Sequence, residues 1–264
     1  MAAIASAPVP ELDLPLPAGT RLVSLAERPD LREALGDHNV AVWPAFMLES
    51  AISNERWHHL GDDYPAFQMA LIDAGDTILA GLNSAPLPWD GTDEGLPEGW
   101  EAQLVASVDA LAGGEHLDAL GALQIVVHAE RRGRGLADLM LAAMRANASA
   151  RGLDAVIACV RPTWKPRYPL TPIERYASWT RDDGLPFDPW IRLHVRAGGR
   201  IVRPSPRSMT ISGTVAEWEA WTGMVFPDSG QYVVPGACEP VTIDRDADLG
   251  SYHDPNVWIV HGLA

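Results

Sequence analysis

Gln124-Ile125-Val126-Val127-His128-Ala129-Glu130-Arg131-Arg132-Gly133-Arg134-Gly135-Leu136-Ala137 opens the stretch that decides the fold, which continues to Cys159. Ile125-Val126-Val127 is a short apolar run of the kind that forms a buried strand. A turn rich in Gly and Arg follows. Beyond Gly135, the apolar residues Leu136, Leu139, Met140, Ala143 and Met144 recur at helical spacing and share one face. Arg151-Gly152 supplies a cation and a C′ glycine, the expected end of that helix. Ala155 to Val160 is a second apolar run, so the stretch predicts strand, turn, helix and parallel strand.

The turn has a physical task. Gly133 and Gly135 allow the backbone to approach a ligand closely and to adopt dihedrals that a Cβ disfavours. The free N–H groups of the first helical turn point at whatever sits there, and the helix dipole favours an anion. Arg131, Arg132 and Arg134 add positive charge, so the turn is designed as a phosphate cradle. It lacks the Gly-Lys-Ser/Thr of a P-loop. It also lacks the third glycine of a dinucleotide fingerprint, because position 138 is Asp.

What the turn does contain is Arg132-x-x-Gly135-x-Ala137. This resembles the Arg/Gln-x-x-Gly-x-Gly/Ala pyrophosphate loop of the GNAT acyltransferase superfamily. The resemblance runs roughly from Leu22 to Arg203. It implies an α/β fold built on a mixed, mostly antiparallel sheet, with helices flanking it and two central parallel strands that splay apart. Those strands would end at Val127 and Val160, and the pantetheine arm of a thioester would enter between them. Val126, Val127, Arg132, Gly133, Arg134, Gly135, Leu136 and Ala137 would then hold a coenzyme A thioester or a phosphopantetheine-carried acyl group.

Composition narrows the function further. The net charge of −15 argues against nucleic acid or an anionic membrane as partner, and it makes the arginines at 131–134 stand out. No apolar run approaches membrane-spanning length. The N-terminus has no basic region leading into an apolar core, so no signal peptide is expected. Cys159 and Cys238 are the only cysteines, which is no disulfide framework and makes a reducing cytoplasm the default setting. No metal is expected. His58-His59 with Asp62-Asp63 has the i, i+4 spacing of ligands, but no further ligand pairs with it, and a solvated helix end is the favoured reading.

Along the chain, residues 1–19 read as a flexible tail, 20–205 as the acyltransferase core and 206–264 as a C-terminal extension packed on that core. Arg21 to Leu25 predicts a first strand, and Ala51 to Leu60 and Trp100 to Leu111 predict helices. Phe67 to Ile72 and Thr77 to Leu82 predict a hairpin around Asp73-Ala74-Gly75-Asp76. Asn83 to Gly91 reads as a loop in which Trp89 is a candidate substrate contact. Beyond the core, Ser208 to Gly213, Tyr232 to Val234, Val241 to Ile243 and Val257 to Val260 predict short strands.

The section from Val160 to Tyr176 is basic and stiffened by prolines, and it leads into a helix that Thr171 would cap with Pro172 first. Arg161, Lys165 and Arg167 are placed to receive a carboxylate or phosphate. Trp164 and Arg192 are further substrate-contact candidates. Asp188 to Val202 reads as helix, Gly stop and strand. Where GNAT enzymes carry Tyr-x-x-x-Gly-Phe, this chain has His194-x-x-x-Gly198-Gly199. A neutral or cationic imidazole can donate a proton there.

The phrases Arg161-Pro162-Thr163-Trp164-Lys165, Pro169 to Tyr176 and Asp188 to His194 resemble a particular branch, the GNAT-like domains of natural-product assembly lines. There a Thr on this loop and a His on this helix are implicated in decarboxylating malonyl thioesters and moving the acyl group to a carrier protein. Thr163 and His194 match those positions. The expected activity is acyl transfer from a pantetheine thioester to an amine of a small molecule. A malonyl-thioester decarboxylase that loads a carrier protein is the alternative, and a non-catalytic acyl-CoA sensor is the third reading. His128 and Glu130 are the candidates, by position, for the base.

Overall fold

The structure is a computed structural model and describes residues 14–263. Residues 1–13 of the expected tail lie outside them. The chain opens with β1 (Arg21–Ser24), α1 (Arg32–Val40), α2 (Ala51–Arg56) and α3 (His58–Asp63). Next come β2 (Gln68–Ile72), β3 (Ile78–Leu87), α4 (Trp100–Gly113), β4 (Ala119–Val127), α5 (Leu136–Ala150) and β5 (Ala155–Val160). The rest of the chain supplies α6 (Ile173–Ala177), α7 (Pro189–Arg196), β6 (Arg200–Gly213) and α8 (Val215–Thr222). It closes with β7 (Gly230–Tyr232), β8 (Val241–Asp244) and β9 (Leu249–Gly262).

The strands form one sheet in the order β1-β2-β3-β4-β5-β9-β8-β7, with β6 also paired to β9. β4 and β5 run parallel, and the other pairings are antiparallel. β3 and β5 are buried along their whole length, which explains why they read as continuous apolar or small-residue runs. α5 lays Leu136, Leu139, Met140, Ala143 and Met144 into the core. Burying each of the larger side chains contributes about 1.5–3 kcal/mol, which holds this helix against the sheet.

The strand β3 runs on to Leu87, where the sequence suggested a loop from Asn83. Pro86 is tolerated because β2 stops pairing at Asn83, so beyond that point only the β4 side of β3 is bonded. The segment expected as one helix from Ala51 to Leu60 is split into α2 and α3 around Trp57. α6 begins at Ile173, with Pro172 as its N-cap and no side-chain cap, so Thr171 does not serve as one. β9 is far longer than the predicted Val257 to Val260. Its last residues, Val257 to Gly262, pair with β5, while Leu249 to Ser251 pair with β8. The chain beyond residue 206 therefore supplies a strand in the middle of the sheet.

Candidate active site

β4 and β5 pair only from Ala119 to Ala122 against Ala155 to Ala158, and then separate. The cause lies on the other edge of β4. Opposite β3 the register jumps from Asn83↔Gln124 to Ser84↔Ala122, so Leu123 is an extra residue that bends the strand. Side chains satisfy the backbone carbonyls freed by the split. Trp100 Nε1 donates to Leu123 O at 2.8 Å, Gln103 Nε2 to Ala122 O at 3.0 Å, and Asn256 Nδ2 to Cys159 O at 3.3 Å. The opening is thus held by α4 on one strand and β9 on the other.

A cleft of about 1400 Å³ fills this gap and extends to the start of α5. It is lined by Val126, Val127, Arg132, Gly133, Gly135, Leu136 and Ala137, with Arg131 and Asp138 beside them. Gly133 and Gly135 have φ of 74° and 76°, the left-handed region, and Gly135 is the N-cap of α5. His128 N–H donates to Leu79 O at 3.0 Å across β3. The amides of a strand alternate, so the Val127 N–H is turned the other way, toward the gap.

At the other end of the cleft lie Arg161, Thr163, Trp164 and His194. The Thr163 loop and the His194 helix share one anchor. Asp188 Oδ1 accepts the Trp190 and Ile191 amides and so caps α7. Its Oδ2 accepts the Trp164 amide at 2.8 Å and the Tyr176 hydroxyl at 2.9 Å. Arg161 pairs with Asp254, Nε to Oδ1 2.9 Å, and donates Nη2–H to Gly236 O at 2.8 Å. Burial opposes the Arg161 charge, but Asp254 outweighs it and holds the guanidinium firmly protonated. His194 is buried, with Nδ1 2.9 Å from His261 Nε2. Burial, with His261 adding to it, pushes the His194 pKa down to about 3, so the ring is neutral at pH 7.

No protein-family model matches the chain. It is 33% identical to the arginine N-acetyltransferase avaD of Aspergillus versicolor, over 96% of this chain and 97% of that one. Among solved structures, the GphF GNAT-like decarboxylase in complex with isobutyryl-CoA aligns with a TM-score of 0.59 at 19% identity, over 92% of this chain and 100% of that one. The loading GNATL domain of CurA from Lyngbya majuscula aligns at 0.55 and 16%, over 92% and 98%. These two share the fold. The chain belongs to the GNAT acyltransferases.

The relative's similarity over nearly all of both chains supports acyl transfer to an amine as the reaction of this GNAT enzyme. Several expected site residues lie elsewhere in it. Lys165 is buried, and its Nζ satisfies its donors on backbone oxygens, the carbonyls of Cys238 and Tyr168. Arg192 spends Nη1 on Pro186 O and Phe187 O. Trp89 lines a separate shallow cleft with Pro88, Asp90, Gly95 and Asp118, and its indole donates to Thr92 O. Arg134 is exposed and does not line the main cleft. His128 and Glu130 are exposed too, the Glu130 amide donating to His128 Nδ1, and neither lines the main cleft. At the helix end flagged for its His and Asp residues, His59 bonds Asp63 at 2.6 Å and Asp62 bonds Arg32 at 2.5 Å. No group of three or more metal-ligating side chains gathers among the described residues. No described helix is long and apolar enough to cross a membrane.

Sequence reading missed Trp100, Gln103, Asp188, Asp254, Asn256 and His261. Only Asp188 had a legible signal, as an Asp-Pro at the start of a helix. The others act through partners distant in the chain.

Proposed function

We propose that this enzyme moves an acyl group from a pantetheine thioester, coenzyme A or a carrier protein, to the amine of a small molecule in natural-product biosynthesis. One observation carries the reading: a single cleft joins the glycine turn at the start of α5, the gap between β4 and β5, and His194. The pyrophosphate would lie on the free amides from Gly135 onward with Arg132 beside it. The pantetheine would run along β4, and the thioester carbonyl would meet the Val127 N–H. Holding both reactants in one cleft supplies orientation.

The amine attacks the thioester carbon, and the C–S bond breaks as the amide C–N bond forms. The proton that the amine gives up ends on the thiol. His194 is neutral, so it contributes a hydrogen bond to the departing sulfur rather than acting as a cationic acid. Arg161 Nη1 makes no hydrogen bond among the described residues. It suits a carboxylate on the acceptor. Arginine, named as the acceptor of the Aspergillus relative, is therefore the first acceptor to try.

A second reading keeps the same cleft. Thr163 and His194 both line it, as decarboxylation of a malonyl thioester would need. Mass spectrometry of reactions with acetyl-CoA, malonyl-CoA and a loaded carrier protein, with and without arginine, separates the two. The expected product is N-acetylarginine, with a carrier-protein donor working at least as well as free CoA. Carbon dioxide released from malonyl thioesters without an amine would establish the second reading. Inertness of every thioester would overturn both.

A further inference from the structure

Two imidazoles meet in the wall of the cleft. His194 and His261 are 2% and 0% exposed, and their facing nitrogens, Nδ1 and Nε2, lie 2.9 Å apart. α7 carries one ring and β9 the other. Gly199, between them, is forced: a Cβ there would come within 2.7 Å of His261 Cε1. A bond between two neutral imidazoles has one donor and one acceptor. If His194 donates from Nδ1, its Nε2 is a bare lone pair. If His194 accepts, its Nε2 carries the proton. That Nε2 is buried and has no hydrogen-bond partner among the described residues, and His194 lines the cleft.

His261 Nδ1 decides between the two. Among the described residues it is buried without a hydrogen-bond partner. If His194 donated, the remaining His261 proton would sit on that Nδ1 as a buried N–H with no acceptor, and orphaned buried N–H groups are the rarer and costlier kind. If His261 donates from Nε2, its Nδ1 is left only as a lone pair, and the His194 proton moves to Nε2 of a ring that lines the cleft. The His261 proton then sits on Nε2 and is donated to His194.

We propose that His261 is a positioning residue that fixes His194 as the Nε2–H tautomer, a hydrogen-bond donor on a ring that lines the cleft. The use of that donor rests on the reading above, in which His194 meets the departing sulfur. The tautomer itself does not. No bond is made or broken in this step.

Nitrogen-15 spectra of the ring nitrogens in the wild-type protein at pH 7 test the tautomer without reference to activity. The expected result is a proton on Nε2 of both His194 and His261, with both Nδ1 atoms bare. A proton on His194 Nδ1 overturns the proposal. Kinetics supply the second arm. His261→Gln keeps an N–H to offer, and His261→Phe keeps the ring shape without one. We expect His261→Phe to lower kcat at least about tenfold, with the thioester KM within about twofold, and His261→Gln to retain most of kcat. Equal losses in both variants would mean mere packing and overturn the proposal. His194→Gln is the control. Normal turnover there would sink the placing of His194 at the sulfur, while the spectra would still decide the tautomer.

Discussion

The Asp188 carboxylate accepts the Trp164 amide at 2.8 Å and, through its other oxygen, caps the helix that carries His194. One buried side chain thus sets the Thr163 loop and α7 relative to each other. Asp188→Ala would remove the cap, about 0.5–2 kcal/mol, and leave the Tyr176 hydroxyl and the Trp164 amide without their acceptor. The expected cost is about 3 kcal/mol in urea unfolding. Asp188→Asn, which keeps an oxygen for the cap, should lose less than half of that. Equal stability of wild type and the Ala variant would show that the loop and helix are held by other contacts.

The glycine turn makes a second prediction. Gly135 has φ of 76° with nothing within 4 Å of a built Cβ. Gly135→Glu would meet strain rather than a clash, and would put a negative side chain where the pyrophosphate belongs. Calorimetry should show coenzyme A affinity reduced at least about tenfold, or about 1.4 kcal/mol. A folded variant with wild-type affinity would place the nucleotide elsewhere.

The two halves of the site differed in legibility for a physical reason. The turn, α5 and β5 are contiguous, and their chemistry is local: helical periodicity, positive-φ glycines and a C′ glycine at Gly152, whose φ is 73°. The same locality made β1 and the β2–β3 hairpin readable. β9 was not readable, because His253-Asp254-Pro255-Asn256 breaks its apolar pattern. In the sheet those residues face a register shift in β6 between Ser205 and Met209, where Pro206 also falls, and Asp254 finds Arg161 from 93 residues away. Lys165 and Arg192 went astray for a related reason. Sequence shows that a cation is present, but not which carbonyls will take its donors. His261 carries no motif at all, and its meaning comes only from a partner 67 residues away.

Arg161 tests the acceptor. Its guanidinium is clamped by Asp254 and Gly236 O, with the ring of Trp43 centred 5.6 Å from Cζ. Arg161→Lys keeps a charge but loses the planar fork. The acceptor KM for arginine should rise at least about tenfold, with the thioester KM unchanged. An arginine analogue lacking the carboxylate should bind weakly to the wild type and be indifferent to the substitution. Equal effects on both acceptors would remove Arg161 from the carboxylate.

The paired imidazoles also shape stability against pH. His194 is held to about 3 and His261 to about 4, in both cases by burial first. An unfolded histidine titrates near 6.5, so between about pH 6.5 and 4 the unfolded chain binds protons that the native state refuses. Stability from these groups is therefore complete above about pH 7 and is lost as pH falls. Each imidazole contributes a slope of up to about 1.4 kcal/mol per pH unit. Glu101, whose pKa burial raises, works in the opposite direction and flattens the wild-type curve. The useful measurement is therefore a difference between proteins. From pH 7 to pH 5, the wild type should lose roughly 2–4 kcal/mol more urea stability than the His194→Gln, His261→Gln double variant. Parallel curves would mean that at least one of the two rings takes up a proton in the folded protein without penalty.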